Sequence, residues 1–116
     1  MSLFSLKEHR LNKKSMFSTV FENGNKVFSK NLVLRYTESP DDRLRVSYTI
    51  RKSVGNAVKR NSIKRIIRET LFLNAQNLTK NVWVVFSVND SMRTLSKNEI
   101  RESVIFNLKK SNLLVE

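Results

Sequence analysis

The residues of this sequence best suited to a chemical role are a run of cationic side chains, which can bind anions. From Arg51 to Arg68 the chain carries seven basic residues and no acidic one. Guanidinium and ammonium groups donate strong hydrogen bonds to phosphate oxygens. Like charges at this density repel one another and destabilise a fold unless a partner neutralises them. The run therefore predicts a polyanionic partner, and its members are Arg51, Lys52, Lys59, Arg60, Lys64, Arg65 and Arg68.

Side chains that could carry out catalysis are scarce by comparison. The sequence has no Cys and one His, which excludes disulfides, thiolate zinc sites, cysteine nucleophiles and clusters of histidine metal ligands. It also offers no nucleophile beside a base and no clustered carboxylates for a two-metal site. We therefore predict no catalytic residue in this chain, and the sequence leaves metal binding open.

Size and composition agree with a binding role. The chain has 116 residues, a mass of 13.6 kDa and a net charge of +12, with 40% hydrophobic residues. This predicts a single domain over residues 1–116, with one modest core and little room for a deep catalytic pocket. No apolar run approaches the roughly 20 residues of a membrane span, and the N-terminus lacks the features of a signal peptide. We expect a cytoplasmic protein without a membrane partner.

The element that must position most of the cations is a helix. Asn56 is a good N-cap, and an apolar helical period runs from there to about Asn74. At about 100° per residue, one face collects the residues that we name the cationic ridge, which are Arg60, Asn61, Lys64, Arg65 and Arg68. The opposite face is predicted to dock on a sheet, and it collects Val58, Ile63, Ile66, Ile67 and Leu73.

Two further helices and four strands are predicted around this helix. The first helix is capped by Asn12 and ends at Gly24, and the last opens with a capping box from Ser96 to Glu99. Strands are predicted near residues 26–28, 32–37, 44–51 and 82–88; the third alternates in polarity and the fourth is apolar on both faces. The order α-β-β-β-α-β-α predicts an α+β sandwich of helices on a four-stranded sheet.

Three kinds of partner compete for the cationic ridge. A membrane-surface helix would carry aromatic anchors, which are absent here until Phe72. A DNA-binding protein would show the turn of a helix-turn-helix motif or a dimerisation heptad, and the sequence has neither. Structured RNA fits best, since its phosphates suit the ridge and its unpaired bases suit stacking on Phe17 and Phe21. Core packing also explains the spacing of these two phenylalanines, and from spacing alone we favour it.

The segment VGNAVKRNSIKRIIRE, residues 54–69, closely resembles the signature of the bacterial ribonuclease P protein family. Weaker similarities are Arg10-Leu11, the spacing Phe17-x-x-Val20-Phe21 followed by Gly24, and the strand at residues 44–46. The resemblance covers most of the chain, and the length and charge agree with it. It implies the fold of that family, which is ribosomal protein S5 domain 2-like.

The resemblance implies a subunit that assists an RNA enzyme in removing the 5′ leader of precursor tRNA. The catalytic centre and its Mg²⁺ would belong to the large RNA, and we expect no obligate protein partner. Contacts to the catalytic RNA are implied for Lys52, Gly55, Asn56, Lys59, Arg60, Asn61, Lys64, Arg65 and Arg68. Contacts to the leader are implied for Phe17, Phe21, Val33, Arg35, Ser47 and Thr49. The alternative is another structured-RNA-binding module, such as a ribosomal protein domain.

Three details of the resemblance go against general rules or the family pattern. A left-handed β-α-β crossover around the cationic helix is implied, where general rules predict a right-handed one. Ser62 stands where many members carry a basic residue, and Arg35 stands where an aromatic residue can occur. At Arg35 this exchange would replace base stacking by phosphate or cation–π contact.

Overall fold

The computed structural model describes residue 11 and residues 14–79 and 81–114. Within these residues the elements follow the predicted order, which confirms the α-β-β-β-α-β-α arrangement. They are α1 (Lys14–Asn23), β1 (Asn25–Phe28), β2 (Leu32–Glu38), β3 (Arg45–Ile50), α2 (Ala57–Leu73), β4 (Val82–Val88) and α3 (Lys97–Lys110). Short 3₁₀ turns that the periodicity did not predict lie at Lys52–Val54, Ala75–Asn77 and Asp90–Thr94. The predicted cap Asn12 and the family-pattern residue Arg10 lie outside the described residues.

The four strands form one mixed sheet in the order β1-β2-β4-β3. Strand β2 is antiparallel to both β1 and β4, with Leu34 opposite Val27 on one side and Phe86 on the other. Strand β3 is parallel to β4, with Val46 opposite Val84. Because parallel strands cannot be joined by a hairpin, the chain crosses over through α2. The left hand of this crossover stays a prediction from the resemblance.

Helices cover both faces of the sheet. On one face, α2 and α3 bury the larger apolar cluster, with Ile63 and Val104 packed among inward residues of the strands such as Leu34 and Phe86. On the other face, α1 buries a smaller cluster that comprises Leu11, Val20, Trp83 and Val85. The interior strand β4 is therefore buried on both faces, as its almost wholly apolar sequence predicts.

Helix α2 confirms the predicted bounds and corrects the predicted apolar face. The side chain of Asn56 accepts a hydrogen bond from the backbone N–H of Lys59 at 2.9 Å, which caps the first turn. The buried residues are Ile63, Ile66, Ile67, Thr70 and Leu71. Val58 and Leu73, predicted to dock on the sheet, are 77% and 70% exposed. Both lie near the helix ends, beyond the turns that pack into the core, so their angular position alone does not bury them.

Gly24 makes the turn between α1 and β1 possible. Its N–H donates to the carbonyl oxygen of Val20 at 2.8 Å, closing the end of the helix. A Cβ at this position would lie 2.2 Å from that same oxygen and 2.9 Å from the carbonyl oxygen of Tyr36. Only glycine fits between the helix end and β2, so this residue sets how closely α1 approaches the sheet.

The turn between β2 and β3 is held by the carboxylate of Asp41. It accepts hydrogen bonds from the Ser39 hydroxyl at 2.8 Å, the Arg45 Nε at 2.7 Å and the Trp83 indole N–H at 3.0 Å. Burial alone would raise the pKa of Asp41, but these bonds, together with the Arg43 backbone N–H, favour the charged form and hold its pKa well below its ordinary value of 3.8. The carboxylate thus ties the turn to both β3 and β4.

Asp41→Asn should lower the free energy of unfolding by about 1–2 kcal/mol near pH 7, a modest value because the carboxylate is 34% exposed. Since the folded pKa is depressed, the charged carboxylate stabilises the fold above pH 3.8 and that stabilisation is lost as the pH falls below it. Urea unfolding at pH 7 and pH 3 checks this, with Asp42→Asn as the matched control. Equal losses of stability in the two variants would contradict the assigned role of Asp41.

Candidate nucleic-acid interface

The cationic ridge lies along the side of α2 that faces away from the core. Asn61 and Arg65 are exposed, and Arg60, Lys64 and Arg68 are half-buried. A cavity of about 350 Å³ separates the ridge from β3. Its walls are Asn61, Lys64, Arg65 and Arg68 on the helix and Leu11, Val46, Ser47 and Tyr48 opposite them. The structure thus confirms the predicted shared face and adds a cavity between it and the outer strand of the sheet.

The charge of the ridge is not neutralised within the part of the chain that the structure describes. The ion pairs found there join Arg45 to Asp41, and Lys97 and Arg101 to Glu69. Glu69 is the only acidic residue of α2, and it is directed toward α3. No described acidic side chain therefore offsets the charge of the ridge cations, as the acid-free sequence predicts.

Gly55 and Asn56 shape the start of the ridge helix. Gly55 has φ 159° and ψ −178°, a backbone conformation that is almost exclusive to glycine. A Cβ there would lie 2.7 Å from the Cγ of Lys59, so the side chain of Lys59 occupies the space that glycine leaves. The side-chain oxygen of Asn56 is engaged in the helix cap. Lys52 is exposed in the 3₁₀ turn that precedes the helix.

A second and larger cavity, of about 640 Å³, opens on the α1 face of the sheet. Four of the six predicted leader residues line it, namely Phe21, Val33, Arg35 and Thr49. Its other lining residues are Ile50, Arg51, Ser87, Val88, Asn89 and Asp90. We name this cavity the cleft. Four of the residues therefore share one depression in the surface, and their contact with a leader stays a prediction.

Phe17 and Ser47 do not line the cleft. Phe17 is half-buried and packs against the cluster beneath α1, so the core interpretation applies to this residue. Phe21, one helical turn later, is 41% exposed and lies at the cleft. Ser47 precedes Thr49 by two residues along β3 and lines the cavity beside the ridge instead. A shift of about 7 Å along a strand is enough to move a side chain from one cavity to the next.

A chain of polar contacts crosses the floor of the cleft. The guanidinium of Arg35 lies 4.7 Å from the ring centroid of Phe21, and its Nη1 donates to the Ser87 hydroxyl at 3.0 Å. The Thr49 hydroxyl also bonds to the Ser87 hydroxyl, at 2.9 Å. The candidate site from the sequence omitted Ser87, although it is the only polar residue of the otherwise apolar strand β4. A single polar residue in an apolar strand was the feature of the sequence that pointed to a role for Ser87.

The residues that the structure describes contain neither a cluster of metal ligands nor a membrane-spanning helix. No group of three or more His, Cys, Asp or Glu side chains there is placed to hold a metal ion. No helix in the same part of the chain is long and apolar enough to cross a membrane.

A small mixed α+β domain whose surface helix carries a ridge of cations without ion-pair partners among the described residues has the electrostatic footprint of a nucleic-acid-binding protein. The family model for ribonuclease P matches residues 6–112, so the chain belongs to the ribonuclease P protein component family. Membership gives it a role in tRNA processing as an RNA-binding part of a ribonucleoprotein, and implies partnership with the ribonuclease P RNA and a tRNA substrate.

Individual relatives agree with the family assignment. The chain is 35% identical over 109 residues to the ribonuclease P protein component of Shouchella clausii, covering 93% of this chain and 89% of the relative. It is 34% identical over 98 residues to that of an Exiguobacterium strain, covering 84% and 85%. Among solved structures, the RNase P protein of Staphylococcus aureus superposes with a TM-score of 0.86 at 23% identity, covering 91% of this chain and 97% of the other. That structural likeness confirms the fold.

Proposed function

We propose that this chain binds the catalytic RNA of ribonuclease P through the cationic ridge and the 5′ leader of precursor tRNA in the cleft. The observation that carries the proposal is the ridge itself, an array of cations that form no ion pair with any described residue. Such an array is stabilised by phosphates, and a folded RNA presents them at high density. The chain would act in the cytoplasm.

Strand β3 borders both proposed RNA sites. Its residue Ser47 lies beside the ridge and its residue Thr49 lies in the cleft. The two cavities therefore lie within a few residues of each other along one rigid strand. Binding the catalytic RNA on one side would place the cleft at a set distance from the RNA's own active centre. This supports a role in orienting the substrate.

The chemistry of leader removal is assigned to the RNA and to Mg²⁺ bound by it. Asp90 is the only acidic residue among those lining the cleft, and its carboxylate accepts a hydrogen bond from the Ser53 hydroxyl at 2.7 Å. One engaged carboxylate does not supply a two-metal site or a general base with a nucleophile. We assign to this chain's residues the tasks of binding and orienting RNA.

Reconstitution with the cognate catalytic RNA tests the proposal. The protein should lower the Mg²⁺ concentration needed for leader removal, because its cations replace part of the charge screening that Mg²⁺ provides. It should also bind precursor tRNA more tightly than the leaderless tRNA. The protein alone with precursor tRNA and Mg²⁺ is the control and should show no cleavage. An unchanged Mg²⁺ requirement together with equal affinity for both tRNAs would overturn the proposal and favour another RNA partner, which sequencing of co-purifying RNA would identify.

A further inference from the structure

Arg35 lines the cleft and is contacted by residues from two other elements, one of which is bonded to a third. Phe21 from α1 stacks beneath its guanidinium at 4.7 Å, and Ser87 from β4 accepts its Nη1–H at 3.0 Å. Thr49 from β3 bonds to the same Ser87 hydroxyl at 2.9 Å. The register places Ser87 opposite Val33 on β2 and Thr49 on β3, so the three strands bring these side chains together. A flexible arginine is thus confined to one position before any ligand arrives.

The charge of this arginine has no protein partner in the part of the chain that the structure describes. The ion pairs found there do not include Arg35, and the Asp90 carboxylate of the cleft is bonded to Ser53. The Nε of Arg35 is buried and makes no hydrogen bond. A guanidinium normally uses several of its five donors, and here one bond to a neutral hydroxyl is formed. The cleft therefore holds a confined cation with unused donors, which an anionic ligand would satisfy.

An internucleotide phosphate is the anion that fits this arrangement best. Guanidinium groups bind phosphate through parallel N–H···O bonds, and confinement beforehand reduces the side-chain entropy that binding costs. Phe21 covers one face of the guanidinium and its Nε is buried, so the Nη groups are the donors left for a ligand. Arg51 lines the same cavity and adds to its positive potential.

We propose that Ser87 is a positioning residue that holds Arg35 to bind one phosphate of the single-stranded leader. This inference rests on the proposed function, and it specifies how the cleft recognises its substrate. Recognition at this point is directed to the RNA backbone, so it tolerates any base. The leader's contribution to affinity should accordingly fall with salt, as expected for a phosphate contact.

Scanning the leader with single methylphosphonate linkages, which remove one negative charge each, tests the inference. At one linkage, affinity for the reconstituted enzyme should fall about five- to tenfold near 0.1 M salt. With Arg35→Met the same linkage should cause no further loss, because the contact is already absent. Ser87→Ala should weaken leader binding and reduce the effect of that linkage, and Ser87→Thr, which restores a hydroxyl, should recover both. Arg93→Met, an exposed cation outside both cavities, is the matched control.

Three outcomes would overturn the inference. The first is a methylphosphonate profile that is the same for the wild-type protein and Arg35→Met. The second is coupling of Arg35 to an abasic substitution in place of a methylphosphonate, which would indicate a base stacked on the guanidinium. The third is equal affinity of the wild-type enzyme for precursor and leaderless tRNA, which would remove the leader site of the proposed function itself. Circular dichroism of each variant separates these results from loss of folding.

Discussion

The triple variant Lys64→Ala, Arg65→Ala, Arg68→Ala should bind the catalytic RNA on the order of 100-fold more weakly near 0.1 M salt, while keeping its fold. Each cation that contacts a phosphate contributes about 0.7–0.9 to the slope of log affinity against log salt. The triple variant should therefore lower that slope by about 2 to 3. Arg65→Ala or Arg68→Ala alone should lower it by about 0.7–0.9. Stability should change little, because the three side chains make no ion pair with the described residues.

A charge-matched control separates the ridge from net charge. Lys26, Lys30 and Arg93 are exposed and lie outside the ridge cavity, and replacing them by Ala removes the same three charges. Filter binding over a range of salt concentrations should show a much smaller loss of affinity for this control. If both triple variants lost affinity equally, binding would follow the overall charge of +12 and the ridge would have no special role.

Ile66→Ala, at a buried position of the same helix, should instead cost about 2–5 kcal/mol of stability.

Phe86→Ala should reduce the free energy of unfolding by about 3–5 kcal/mol. Phe86 is fully buried in the central strand, and its ring stacks against Tyr48 of β3 with centroids 6.1 Å apart. Truncation would leave a cavity between the sheet and the helices α2 and α3. Because small domains are stable by only about 5–15 kcal/mol in total, this loss should leave a large fraction of the chain unfolded on warming. Thermal and urea unfolding measure it.

The control for this loss is Phe106→Ala, because Phe106 is the same residue type but 53% exposed on α3. It should change the free energy of unfolding by less than about 1 kcal/mol. RNA binding by Phe86→Ala should recover when the fold is restored at low temperature or by a stabilising osmolyte. Comparable destabilisation by the two substitutions would contradict the assignment of Phe86 to the core.

Local sequence patterns determined the elements of this protein closely. The cap at Asn56 and the box from Ser96 to Glu99 begin their helices where predicted, and the apolar run at residues 82–88 forms β4. These features depend on neighbours within one or two turns, which the sequence displays directly. The cationic ridge was predictable for the same reason, since a helical period decides which side chains share a face.

Contacts between distant segments required the tertiary structure. Phe17 and Phe21 share one face of α1, yet one packs on the core and the other lines the cleft, because the sheet lies beneath only part of that face. Ser47 and Thr49 share one face of β3 and line different cavities. The sequence also did not indicate that Ser87 would bond to Arg35, 52 residues earlier in the chain.

The sequence by itself thus determined where the charge lies, which helix carries it and the family to which the chain is similar. Only the tertiary structure decided which faces meet, and with them the two cavities and the confined position of Arg35. The physical reason is the range of the interactions. Caps and periods act between residues that are close along the chain, whereas a cavity is the space left where strand register, helix docking and side-chain packing from remote segments come together.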